Sequence, residues 1–222
     1  MDKNTDRIAL SRNYYNKLSR LFDYISPDSY YRKARKAAVS SLDLQEGQTV
    51  LNVPVGTGQI FKYFQGYLHG TGQIIGVDLS EDMLSEAFEK IASNGYSNIS
   101  LEERDVAEIN TAWLEDFRKN NPDTQIDAIL CDLGLSGFED WEQVIQNFLS
   151  VLKPEGRLVV MDWELPEPSL RGEFIKWIGG GEVDRPIPSY LSTQLDQFEV
   201  DHSFNRGGVF VASGIKPSGM GS

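Results

Sequence analysis

From Thr49 onward, short apolar runs alternate with longer amphipathic ones, and this alternation restricts the possible folds more than any other feature. "TVLNV", "QIIGVD", "ISLEER", "IDAILCD" and "GRLVVMDW" read as strands. Helical patterns near residues 58–68, 81–93, 107–119 and 139–152 separate them. Strands alternating with helices of this length need right-handed crossovers, and so a parallel sheet. The central runs are apolar without strict alternation, as expected of strands covered on both faces. After "QLDQ" the pattern changes. "FEVDHSF" and "GVFVASGI" flank Asn205-Arg206-Gly207-Gly208, which suits a hairpin turn. The expected architecture is a seven-stranded α/β sheet of five parallel strands and a terminal antiparallel hairpin.

Ahead of the sheet, Leu10, Tyr14, Leu18, Leu21, Phe22 and Ile25 recur at helical steps. Ser26-Pro27-Asp28 interrupts the pattern, and a second amphipathic run follows from about Tyr30 to Leu42. Its Arg32, Lys33, Arg35 and Lys36 read as a solvated helix face. One domain over 1–222 is expected, with a helical segment at 1–45, a core at 46–216 and a frayed tail at 217–222. The 21 Lys and Arg residues against 33 Asp and Glu give a net charge of −12. That balance disfavours nucleic-acid backbones and anionic membranes as partners. No run is long and apolar enough for a membrane span, the N-terminus has no signal-peptide core, and Cys131 stands alone. A cytoplasmic protein is expected, of oligomeric state left open.

In such a sheet a ligand lies at the carboxyl ends of the strands, beside the first one. "VPVGTG" occupies that place, and Gly56 and Gly58 let the chain pass close to a ligand. Asp78 follows Gly58 by 20 residues, at the tip of "IIGVD". An acid there can accept hydrogen bonds from both hydroxyls of a ribose. The competing role, capping the next helix, suits Ser80 better. Asp105 can accept from an exocyclic amine or cap the turn that follows it. Val106 and Met83 can cover a flat base, and Leu79 is expected beside the cofactor with them. Together these residues describe a pocket for an adenosine-bearing cofactor. A dinucleotide fingerprint needs glycine three residues past Gly58, where Phe61 stands, and no Gly-Lys-Ser/Thr occurs.

These segments resemble the class I S-adenosylmethionine (SAM)-dependent methyltransferases. "VLNVPVGTGQ" is similar to that family's first motif, "IIGVDLSEDML" to its second and "ERDVAEI" to its third. "DAILCDLGLSG" and "FLSVLKPEGRLVVMDWELP" match its fourth- and fifth-strand motifs, and the likeness runs from Leu51 to the end of the chain. "NYYNKLSRLFDYI" and "YYRKARKAAVSSLDL" resemble the ubiquinone and menaquinone C-methyltransferase branch. The resemblance implies a Rossmann-like sheet, SAM as cofactor and a helical lid carrying tyrosines, here Tyr14, Tyr15 and Tyr24. Two positions depart from the pattern. Pro54 replaces a glycine and removes an N–H. Asn52 replaces the acid that helps position the methionine amino group, keeping an acceptor and losing a charge.

Methyl transfer to a small molecule needs positioning above all, and a base only where the acceptor must lose a proton. The candidate catalytic residues are His202 and Tyr14. Asp132 and Glu164 follow strands at the active edge, Asp132 being expected to contact SAM or substrate. The segment "LPEPSLRGEFIKWIGGGEVDRPIPSYL", with Trp163 before it, is expected to wall an apolar acceptor pocket through Trp163, Glu164, Trp177 and Tyr190. No metal-ligand spacing occurs, and one cysteine is too few to hold a soft ion such as arsenite. Two other readings stand beside methyl transfer: the same fold turned to isomerisation or cyclisation, and a non-catalytic binding subunit.

Overall fold

The computed structural model describes residues 27–165 and 182–219. Helix α1 (Asp28–Ser41) precedes β1 (Thr49–Asn52). Then come α2 (Phe61–Leu68), β2 (Gln73–Asp78), α3 (Glu81–Asn94), β3 (Ile99–Glu103), α4 (Thr111–Asn120) and β4 (Ile126–Asp132). The remainder is α5 (Trp141–Val151), β5 (Leu152–Trp163), α6 (Ile187–Gln194), β6 (Asp196–Phe204) and β7 (Val209–Ile215). The seven strands form one sheet in the order β3-β2-β1-β4-β5-β7-β6. The first five are parallel to one another, and β7 runs antiparallel to both β5 and β6. The expected architecture is therefore the observed one. Strand β5 starts at Leu152, earlier than its apolar pattern suggests, and bends at Glu155, which holds φ 60°.

Side-chain alternation splits the core into two layers. Leu51, Ile75, Ile129, Val160 and Phe210 point to the face covered by α4, α5 and α6. Val50, Ile74, Leu130, Val159 and Val211 point to the face covered by α1, α2 and α3. The crossovers produce this two-sided cover, and it explains why the central strands read as unbroken apolar runs. Local chemistry sets the helix ends. Ser80 Oγ accepts from the Met83 N–H at the start of α3, which closes at Gly95 with φ 66°. Asn110 caps α4 in the same way.

Helix α1 is part of the packed layer, for Tyr31, Ala34, Ala38 and Val39 are all buried on the sheet. Residues 1–26, with the expected helix carrying Tyr14, Tyr15 and Tyr24, lie outside the described residues, and so does Trp177. No described helix is long and apolar enough to cross a membrane.

Candidate functional site

In the order of the sheet β1 lies between β2 and β4, so successive crossovers leave in opposite directions at its carboxyl end. The loops after β1, β2, β3 and β4 gather there. The loop after β1 is tied down on both sides. The Val53 N–H donates to Leu130 O at 3.0 Å, and the Val55 N–H to Val77 O at 2.8 Å. The N–H that Pro54 lacks falls between these two bonds, so neither strand loses a partner to the proline. The Val53–Pro54 peptide is cis, and the Pro54 ring lies against the backbone of Gly134, where a Cβ would come within 2.3 Å of it. Gly58, at φ 74°, has the Phe61 ring over it, and a Cβ would meet that ring at 2.3 Å. Phe61 thus fills the place of the dinucleotide-type glycine. Gly56, at φ 53°, has open space beyond its Cα.

Asp78 closes the loop from the other side. Its Oδ2 accepts from the Gly56 N–H at 2.8 Å and its Oδ1 from the Ser80 N–H at 3.0 Å. Burial pushes this carboxyl above its usual value, while the N–H groups of Ser80, Gly56 and Leu79 pull it back. Leu79 and Met83 follow on the turn into α3, Met83 being buried. After β3, Asp105 Oδ1 caps the short turn Val106–Glu108 by accepting from the Ala107 N–H at 2.9 Å. Val106 is buried beside Leu51 and Val53 in one core layer.

The tips of β1 and β4 hold two orphan acceptors. Asn52 is 1% exposed; its Nδ2 donates to Leu130 O at 3.3 Å, and its Oδ1 has no partner. Asp132 Oδ2 accepts from Arg35 Nε at 3.1 Å, and its Oδ1 has none. Asn52 pairs in register with Leu130, and Asp132 lies two residues beyond Leu130. Both side chains therefore share the sheet face that carries α1. An unpaired buried acceptor costs about 1–3 kcal/mol, so two at one edge leave capacity for the donors of a ligand. Beyond Asp132, Leu133 holds φ 57°, an uncommon backbone state for leucine and of the kind concentrated at functional sites. The open Gly56, the Asp78 carboxylate and the orphan acceptors fit a ligand with a ribose at one end and an ammonium at the other.

The other expected residues lie farther along the edge. Trp163 ends β5, with its ring edge-on to Tyr31 at 5.6 Å. Glu164 Oε2 pairs with His202 Nδ1 at 2.6 Å, and His202 sits half exposed on β6, the outermost strand. Tyr190 belongs to the helical layer. Its hydroxyl accepts from Gln146 Nε2 at 2.9 Å, and its ring stands edge-on to Trp141 at 5.3 Å.

Two residues at this edge escape the sequence reading. Arg35, grouped there with solvated cations, is 4% exposed, whereas Arg32, Lys33 and Lys36 are exposed. The signal was its spacing, since Tyr31, Ala34, Arg35, Ala38 and Val39 form one i, i+3, i+4, i+7, i+8 stripe. Asp162 on β5 is fully buried. Its Oδ2 accepts from the Ser136 N–H at 2.7 Å, and its Oδ1 from Ser136 Oγ at 2.8 Å and the Trp163 N–H at 2.7 Å. Burial pushes its carboxyl up to about 6, against the pull of the Ser136 and Trp163 donors. Here the signal was an acid inside the unbroken apolar run "LVVMDW". Cys131 is buried too, and burial pushes its thiol well above the usual range.

The sequence profile of a family described as "Methyltransferase domain" matches residues 44–207. A curated relative, demethylmenaquinone methyltransferase from Desulfitobacterium hafniense (strain Y51), is 27% identical over 165 residues. That alignment covers 72% of this chain and 61% of the relative, so the chain spans about three-fifths of the relative's length. A SAM-dependent methyltransferase from Aquifex aeolicus superposes with a TM-score of 0.64 at 18% identity, over 92% of this chain and 98% of the other. The [4+2]-cyclase SpnF superposes with a TM-score of 0.64 at 17% identity, over 84% of this chain and 81% of its own. The chain belongs to the family described as methyltransferase domain.

Proposed function

We propose that this member of the methyltransferase-domain family transfers a methyl group from SAM to a small-molecule acceptor of aromatic, quinol-like or lipid-like kind, in the cytoplasm. The observation that carries the reading is the pair of orphan acceptors, Asn52 Oδ1 and Asp132 Oδ1, at the edge where Asp78 closes the glycine loop. Asp78 holds the ribose hydroxyls. Asp105, Val106, Leu79 and Met83 surround the adenine. Gly56 and Gly58 bring the backbone past the ligand, Pro54 stiffens that passage, and Asn52 with Asp132 receives the ammonium group. When bound, the cofactor supplies an electrophilic methyl group on a sulfonium.

The chain's contribution is orientation, which brings two reactants to effective molarities of roughly 10⁵ M or more. Trp163 and Glu164 mark the acceptor side, and the quinone-type relative supports an acceptor with a flat apolar body. Where that acceptor must lose a proton, His202 receives it at Nε2 with Nδ1 held by Glu164. A second reading, cyclisation or isomerisation on the same fold, draws on Asn52 in place of the usual acid and on the likeness to SpnF. Conversion of SAM to S-adenosylhomocysteine in the presence of an acceptor separates the two.

Calorimetric titration of the purified chain with SAM and S-adenosylhomocysteine is the first test. Micromolar binding, abolished in Asp78→Ala, is expected. A folded wild-type chain that binds neither ligand overturns the reading.

A further inference from the structure

Arg35 is a buried cation with three acceptors on three different elements. It donates to Asp132 Oδ2 from Nε at 3.1 Å, and from Nη1 to Gln59 Oε1 and to Asp28 Oδ1, the last at 3.3 Å. Asp28 is itself shared, accepting from Lys62 Nζ at 2.6 Å and the Tyr63 hydroxyl at 2.9 Å. One side chain therefore joins α1 to the residue after Gly58 and to the tip of β4. Burial works against the guanidinium charge, and Asp132 and Asp28 more than offset it.

Such an arrangement is an odd choice if α1 only needed an anchor. Apolar residues of similar size often serve a buried stripe as well as an ion pair or better, and Arg35 sits among Tyr31, Ala34, Ala38 and Val39 on that stripe. An ion pair does what an apolar contact cannot: it holds one particular oxygen of Asp132 in place. The held oxygen is Oδ2. The oxygen left over, Oδ1, is one of the two orphans at the cofactor edge.

We propose that Arg35 is a positioning residue for the amino-acid end of the cofactor, fixing Asp132 through Oδ2 so that Oδ1 and Asn52 Oδ1 together receive the ammonium group. The inference rests on the SAM reading above. It makes α1 part of the binding machinery through one ion pair, and it assigns the adenosine end no share in that pair.

Two ligands separate the ends. S-Adenosylhomocysteine carries the amino acid, and 5′-methylthioadenosine carries the same nucleoside without it. Dissociation constants for both are measured by calorimetry on wild type, Arg35→Met, Arg35→Lys and Asp132→Asn, each first checked for cooperative melting. Arg35→Met is expected to weaken S-adenosylhomocysteine about tenfold or more, the worth of one hydrogen bond to a charged group, and to leave 5′-methylthioadenosine within twofold. Arg35→Lys restores part of the loss. Asp132→Asn, which keeps the shape of the site if Arg35→Met does not fold, shows the same selectivity. Equal weakening of both ligands, or of neither, in the folded variants overturns the inference while the SAM reading stands. Wild-type protein that binds neither ligand overturns both.

Discussion

The tips of β4 and β5 lie side by side and each carries an aspartate, yet the two carboxylates live in opposite circumstances. Asp132 points to the α1 face, and Asp162, one residue beyond its register partner Met161, points to the other. Asp132 is paired with a cation and keeps one oxygen without a partner. Asp162 has no cation among its hydrogen-bond donors, and three neutral groups occupy its two oxygens. The first arrangement leaves capacity for a ligand. The second uses up the capacity to hold the loop at Leu135–Gly137, which also packs Gly134 on Pro54. Burial alone therefore does not mark a ligand-binding acid; the inventory of donors around it does.

The largest expected effect comes from emptying the β5 tip. Asp162→Ala leaves the buried Ser136 N–H and Ser136 hydroxyl without their acceptor and removes one acceptor of the Trp163 N–H. A loss of about 3–5 kcal/mol of stability is expected, read as a fall in the urea midpoint. Loss below about 1 kcal/mol would mean that water enters and the loop is not anchored there.

Next comes a pH effect on the same group. The folded carboxyl titrates at about 6 against an ordinary 3.8. The folded state thus binds the proton more tightly than the unfolded one. Its contribution to stability is full below about pH 4 and is lost as pH rises through about 6. The size is about 3 kcal/mol, from roughly two units at 1.36 kcal/mol each. Other acids titrate in the same range, so the useful quantity is the stability difference between wild type and Asp162→Asn. The amide loses one acceptor but carries no titration. That difference should narrow by about 3 kcal/mol from pH 4 to pH 7, and a flat difference would place the Asp162 titration elsewhere.

The contrast at β4 predicts a smaller change. Asp132→Asn keeps an oxygen for Arg35 Nε, and the guanidinium keeps Asp28 and Gln59. About 1–2 kcal/mol of stability should go, with the binding of the amino-acid end suffering more than the fold. A loss as large as that of Asp162→Ala would make Asp132 an anchor like its neighbour and dissolve the comparison.

What the sequence disclosed follows from the same distinction. Strand–helix alternation exposed the sheet because both of its faces are covered, and spacing exposed Gly56, Gly58 and Asp78 because a turn and a strand tip have local signatures. Arg35 and Asp162 were harder because their partners lie far along the chain, 97 residues away for Arg35–Asp132 and 26 for Asp162–Ser136. Each did leave a local trace, a charge on an otherwise apolar stripe or run. Pro54 stood out only as a departure that removes an N–H, for want of a long-range fact, that its ring fills the space above Gly134.

The smallest expected effect belongs to His202. Its pair with Glu164 is short at 2.6 Å, but the two side chains are 48% and 37% exposed, on and beside the outermost strand. Water competes with an exposed pair, and such pairs are worth about 0–1 kcal/mol. His202→Ala should leave the melting temperature within about two degrees of wild type and the S-adenosylhomocysteine dissociation constant unchanged. Those two controls give the variant its use. With fold and cofactor affinity intact, any fall in turnover on an acceptor that must lose a proton reports the proton transfer itself. A general base of this kind contributes about 10²–10⁴-fold. A shift in cofactor affinity would instead tie β6 to the β1–β4 edge and take from His202 its role on the acceptor side alone.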